Sequence, residues 1–246
     1  MVRRGFDNIG GIDHAVILVD DLERARDTYT RLGFTLTPRG KHSLGSENHC
    51  IMFERDYLEL MALPAKPPPA LQYFADFLSN GEGVGALALA TDDAAAAYAE
   101  LTQAGIGAEA PLALSRPVGN LGEARFTLVQ LPPTQTPGFR SFLCQHHTRE
   151  IVWRPEYQRH ALGAQGLDAV FVSAPDPALY AALFGRLPVE FLRAPVAAVT
   201  ALRIRVADRA RAAEVMRRGG FSPAALADGS LAVAAGEAHG VALSFR

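Results

Sequence analysis

The apolar positions of this chain change period in a repeating way. Ile12 to Val19 is a short apolar run rich in β-branched residues, with one histidine, His14, near its start. Such a run predicts a buried strand. Asp20 or Asp21 can accept the free N–H groups of a helix start. Leu22, Ala25, Tyr29 and Leu32 then recur at helical spacing, while Glu23, Arg24 and Arg26 face water. Gly33 supplies the positive φ that ends such a helix. Phe34 to Thr37 is strand-like, and a polar segment follows. His49–Phe53 and Tyr57–Leu63 read as two strands around a tight polar turn at Glu54-Arg55-Asp56. The order is β, α, β, β, β.

Pro64 to Pro69 can continue neither a helix nor a strand, and Leu71–Leu78 suits a short helix. The order then returns. Val84–Ala90 predicts a strand, Asp92 and Asp93 a cap, Ala94, Ala97, Tyr98 and Leu101 a helix, and Gly105 its stop. Strand-like pieces follow at Ala108–Leu114, Ala124–Leu131 and Phe139–Gln145. Laying Asp20-Asp21 over Asp92-Asp93 brings Gly33 onto Gly105 without a gap, an internal repeat of roughly 70 residues. After a linker at Thr148–Gly166, Leu167–Val172 with Asp176–Gly185 makes a third βα start. Leu202–Val206, Asp208–Gly219, Ala232–Ala234 and Val241–Phe245 make a fuller fourth copy. The expectation is an α+β fold of four βαβββ modules in two pairs, residues 8–150 and 165–246, with the third module lacking its last hairpin.

Composition narrows the function. In 246 residues with net charge −2 there is no cationic excess for nucleic acid, and no apolar run nears the ~20 residues of a membrane span. The basic start, Met1 to Asp7, has no apolar core behind it and does not read as a secretory signal. Cys50 and Cys144 form neither a disulfide framework nor a CxxC pair. These features fit a cytoplasmic protein.

The module pattern resembles the vicinal oxygen chelate superfamily, and within it the glyoxalase-like domain proteins (the glyoxalase, bleomycin-resistance and dioxygenase fold). Ile12-Asp-His-Ala-Val, His42…Gly45…Asn48-His49-Cys-Ile-Met-Phe, Tyr57-Leu-Glu-Leu-Met and Phe142-Leu-Cys-Gln-His carry the resemblance. It implies half-open barrels whose metal ligands come from the first and last strands of each module. His14 and Glu59 are then the ligands of module one. Ala86 stands where module two would have its first-strand ligand, and Gln145 is the choice on the last strand. A slip of one residue would instead turn Cys144 or His146 inward, because strand faces alternate.

His42, Asn48 and His49 lie around the loop into the third strand. His42 and His49 are candidates for general base, Asn48 for orienting a substrate, and Tyr57 for lining the cavity. The resemblance implies a divalent-metal enzyme of lyase or isomerase type acting on a small oxygenated molecule. The ion would be Zn, Mn, Ni, Co or Fe on His14, Glu59 and Gln145. Loss of a ligand at Ala86 favours a metal-free binding protein as the alternative, and an extradiol-type dioxygenase stands third. A homodimer is the expected assembly. In the second half Ala169 and Leu202 replace His14, so no metal is expected there.

Overall fold

The computed structural model describes residues 6–119 and 121–246. β1 (Gly11–Leu18), α1 (Leu22–Arg31), β2 (Gly40–Lys41), β3 (Glu47–Met52) and β4 (Tyr57–Ala62) form the first unit. α2 (Gln72–Leu78) follows it. β5 (Gly83–Ala90), α3 (Ala94–Gln103), β6 (Leu112–Pro117), β7 (Glu123–Gln130) and β8 (Arg140–His146) form the second. In each, the first strand pairs the last in parallel, and the middle strands extend that pair antiparallel. β1 and β5 lie antiparallel, so the two units meet edge to edge. Asp21 and Asp93 cap α1 and α3 by accepting the N–H of Arg24 and Ala96.

After α4 (Arg149–Val152) come β9 (Ala164–Ala174), α5 (Ala178–Phe184) and β10 (Val189–Arg193). β11 (Ala198–Val206), α6 (Arg209–Arg218), β12 (Ala224–Ala225), β13 (Leu231–Val233) and β14 (Ala242–Phe245) complete the chain. β9 and β11 pair antiparallel, as β1 and β5 do. β10 runs parallel to β9, which is the place of a last strand. The third unit therefore lacks its two middle strands rather than its last hairpin. The few residues between α5 and β10 leave no chain for them, and a short β–α–β crossover delivers the next strand in parallel.

Phe34–Thr37 joins no ladder. Its Thr37 N–H donates to Cys50 O at 2.8 Å and its hydroxyl accepts from Cys50 N at 2.8 Å, so a side chain replaces a ladder partner. β6 also begins later than the apolar pattern implies.

One face of the first sheet carries Ala15, Ile17, Ile51, Leu58, Leu60, Leu87 and Leu89. These share one buried core with α1, α3, α6 and residues of β9, β11 and β14. The halves are close there: at Gly33, with φ +99°, a Cβ would collide with Val215 of α6. The opposite face is concave. Phe74, Phe77 and Leu78 of α2 pack on Val16, Leu18 and Met61 at one end. Val152, Trp153 and Tyr157 pack on Cys50, Met52 and Tyr57 at the other.

Asp56 in the β3–β4 turn ties the halves by accepting the Leu167 N–H at 2.8 Å. Burial pushes its carboxyl up to about 7, against that bond and Arg205. An unfolded aspartate titrates near ~3.9. Between these values the folded state holds a proton that the unfolded chain lacks, so stability falls as pH rises through this window. Asp56→Asn keeps the acceptor without the charge. It should stabilise the protein by about 1–2 kcal/mol at pH near ~8, with the gain gone near pH ~4. Urea unfolding at the two pH values measures this, and equal gains at both would contradict it.

Candidate active site

The concave face encloses a cavity of about 520 Å³ lined by His14, His42, Asn48, Tyr57, Glu59 and Cys144, among others. That volume is typical of small-molecule sites. The β1–β5 register shifts between Ile12 and His14, a bulge that re-aims side chains. Ile12 stays in the main core, whereas Asp13 meets its neighbour His14, Oδ1 to Nδ1, at 2.6 Å. On a regular strand these consecutive side chains would diverge.

Asp13 is 1% exposed. Burial alone would raise its pKa, but hydrogen bonds from His14 and His146 hold it well below the usual carboxylate range. Since Asp13 only accepts, His14 donates its Nδ1–H to it, and in a neutral ring that tautomer leaves the Nε2 lone pair to the cavity. Tyr57 stacks on the His14 ring at 4.3 Å between centroids, and Phe142 meets its edge at 5.6 Å. The ring is fixed in plane and tautomer.

His14 Nε2 faces Glu59 Oε2 at 3.6 Å. Asn48 Nδ2 donates to Glu59 Oε1 at 2.6 Å and lies 3.4 Å from His42 Nε2. His42 Nδ1 lies 2.9 Å from Ser46 Oγ. The amide contacts both His42 and Glu59, whose Nε2 and Oε1 lie 3.5 Å apart. Burial, against Glu59 and with help from Arg116, keeps His42 below the ordinary imidazole range. A neutral imidazole donating to Ser46 and accepting from Asn48 satisfies every contact. At Gly40 a Cβ would strike Asn48 Oδ1, so this glycine makes room for the amide.

Five of the expected residues thus converge: His14, His42, Asn48, Tyr57 and Glu59. Two do not. Gln145 shares the core-facing side of β8 with Leu143; its Oε1 accepts from Ala94 N at 3.0 Å and its Nε2 donates to Asp92 O at 2.6 Å. It caps α3, and strand parity turns Cys144 and His146 to the cavity side instead. His49 alternates out of the cavity likewise, with Nδ1 on Thr37 O at 2.7 Å and Nε2 3.8 Å from Glu23.

Sequence reasoning missed Asp13, whose signal was a charge beside a histidine on an apolar strand. His146 Nε2 lies 3.1 Å from Asp13 Oδ1, and Trp153 packs on the His146 ring at 4.8 Å. Burial holds the Cys144 thiol well above its ordinary pKa, which leaves it protonated.

Two donor sets could hold a metal. Asp13, Cys144 and His146 bring ligand atoms within 4.8 Å of one another, but Asp13 Oδ1 already serves two imidazoles. His14 Nε2 and Glu59 Oε2 are 3.6 Å apart, near the ~3.4 Å between ligands of a tetrahedral ion with bonds of ~2.1 Å. A metal-binding histidine commonly donates its other N–H to a carboxylate, as His14 does to Asp13. This pair fits an ion. The matching positions of the second unit are Ala86 and, opposite Ala88 as Glu59 is opposite Val16, Phe142. They contribute no ligand.

With the fold and site in view, the chain matches the glyoxalase-like domain family over residues 12–187, and it belongs to that family within the vicinal oxygen chelate superfamily. The matched span runs through the first two units and on past α5. No curated protein matches the chain. Among solved structures, a hypothetical protein from Staphylococcus aureus aligns over 96% of this chain and 98% of its own, with TM-score 0.66 and 14% identity. A xylose isomerase-like TIM barrel/4-hydroxyphenylpyruvate dioxygenase fusion protein aligns over 96% of this chain with TM-score 0.59 and 14% identity; the match spans 48% of the fusion. Methylmalonyl-CoA epimerase from Mycobacterium tuberculosis covers 58% of this chain and 91% of its own, at 22% identity and TM-score 0.45. The first two likenesses establish fold alone. Among the described residues no helix is long and apolar enough to cross a membrane.

The tautomers are directly testable. Nitrogen-15 spectra of the imidazoles should show His14 and His42 protonated at Nδ1 and bare at Nε2. Asp13→Asn should destroy the His14 preference and cost about 2–4 kcal/mol, because it leaves two buried imidazoles without their carboxylate. A wild-type His14 protonated at Nε2 would refute this account.

Proposed function

We propose that the cavity is the active site of a divalent-metal-dependent enzyme that moves a proton next to a carbonyl of a small oxygenated molecule, a lyase or isomerase reaction. The observation that carries this is the His14–Glu59 pair. Asp13 fixes the His14 tautomer, and the bare Nε2 and Glu59 Oε2 sit 3.6 Å apart without a mutual hydrogen bond. His14 and Glu59 would hold the ion, which when bound polarises a substrate carbonyl as a Lewis acid. Asn48 holds the Glu59 carboxylate in place, and His42, whose Nε2 lies 3.5 Å from Glu59 Oε1, is the base beside it. A neutral His42 can accept a proton at Nε2 once the Asn48 contact yields, and its Ser46 contact steadies the ring. Tyr57 and Phe142 keep the His14 ring immobile and water away from its edge.

Ala86 and Phe142 support a second reading, a metal-free small-molecule binder. Thermal unfolding separates the two. For the enzyme, Zn, Mn, Ni, Co or Fe(II) at ~100 times its dissociation constant should add about 2.7 kcal/mol of stability. His14→Ala and Glu59→Gln should each abolish that shift, whereas His42→Ala should keep it and lose turnover. If no ion shifts unfolding of the wild type, the binder reading takes its place.

A further inference from the structure

The cavity is lined by two arginines, Arg116 of β6 and Arg140 of β8, and they differ in how they are held. Arg140 lies 5.5 Å over the Tyr73 ring and 3.4 Å from Gln130 Oε1, so it is part of the wall. The Arg116 side chain makes neither a hydrogen bond nor an ion pair among the described residues. Its guanidinium stands beside Gly40, 3.2 Å from where a Cβ would be, at the end of the cavity where His42 and Asn48 meet. It is close enough to His42 to add to the fall in its pKa that burial begins. A half-buried guanidinium with open donors is a ready receptor for a carboxylate, which it can engage through two parallel bonds.

From that end the lining turns apolar through Phe126, Leu128 and Phe142. At the mouth Leu44, Leu112 and Leu114 line the cavity yet remain 47%, 54% and 39% exposed. Three leucines left partly wet around a cavity rim lose water when an apolar chain passes between them.

We propose that this cavity binds an apolar carboxylic acid, its carboxylate on Arg116 and its hydrocarbon chain leaving between Leu44, Leu112 and Leu114. The proposal names the substrate class of the site described above and rests on that site being the ligand cavity. It does not require the ion. The donor that selects the acid is on β6 of the second unit, whereas His14 and Glu59 belong to the first, so the two units divide recognition and chemistry between them.

The test uses the chelator-treated full chain and calorimetric titration with octanoate, octan-1-ol and acetate. Octanoate should bind at least about tenfold more tightly than octan-1-ol, the worth of a charge-assisted pair. It should bind about a hundredfold more tightly than acetate, which lacks the chain. Arg116→Gln should remove the advantage of octanoate over octan-1-ol and leave octan-1-ol unaffected. Arg116→Lys, which keeps the charge without the fork, should restore part of it and guards against a Gln variant that fails to fold. Octan-1-ol binding as tightly as octanoate, octanoate binding unchanged in Arg116→Gln, or no octanoate binding by the wild type would each overturn the proposal. Because no metal is present, these outcomes are independent of the ion-induced shift that tests the metal reading.

Discussion

The site depends on one buried carboxylate. Asp13 is nearly sealed from water, where an unpaired charge would be costly, and it remains ionised because His14 and His146 both hydrogen-bond to the same oxygen. The two histidines come from different units: His14 from β1 and His146 from the last strand of the second. The carboxylate therefore closes the sheet's concave face at one end and sets the tautomer of His14 at the same time. Everything the cavity can do with a lone pair at Nε2 follows from that proton placement.

The fold leaves the opposite faces of the first sheet with different tasks. One is covered by helices and by the second pair of units, within a continuous apolar core. Two polar residues that face it, His49 and Gln145, make hydrogen bonds to the backbone. The other face curves away from that core and is covered only at its ends, by α2 and by the segment around Trp153. Between them buried polar side chains converge on the cavity. The truncated third unit suits this division, since covering the back of a sheet needs strands and a helix but no cavity of its own.

How far the sequence could be read depended on what kind of residue was asked about. The βαβββ order came from apolar period, aspartate caps and glycine stops, all of which are local. His14, Glu59, His42, Asn48 and Tyr57 were recoverable because a polar residue on an apolar strand, or a histidine in the loop ahead of one, is itself a local anomaly. Gln145 was not recoverable in its role: Phe142 to His146 alternates without a clear apolar period, and only the packing of Leu143 in the core fixes which side faces the cavity. His49 failed for the same reason of parity.

By itself, then, the sequence determined the module type, its repetition and most of one wall of the cavity, because strand and helix formation are decided over a few residues. The tertiary structure decided the rest. The bulge that brings Asp13 beside His14 depends on how β1 pairs with β5, more than 70 residues away in the chain. The place of β10 as a last strand depends on its partner β9 rather than on its own residues. The meeting of Asp13 with His146 joins positions 133 residues apart. Register, strand order and long-range contact are properties of paired elements, and no single segment carries them.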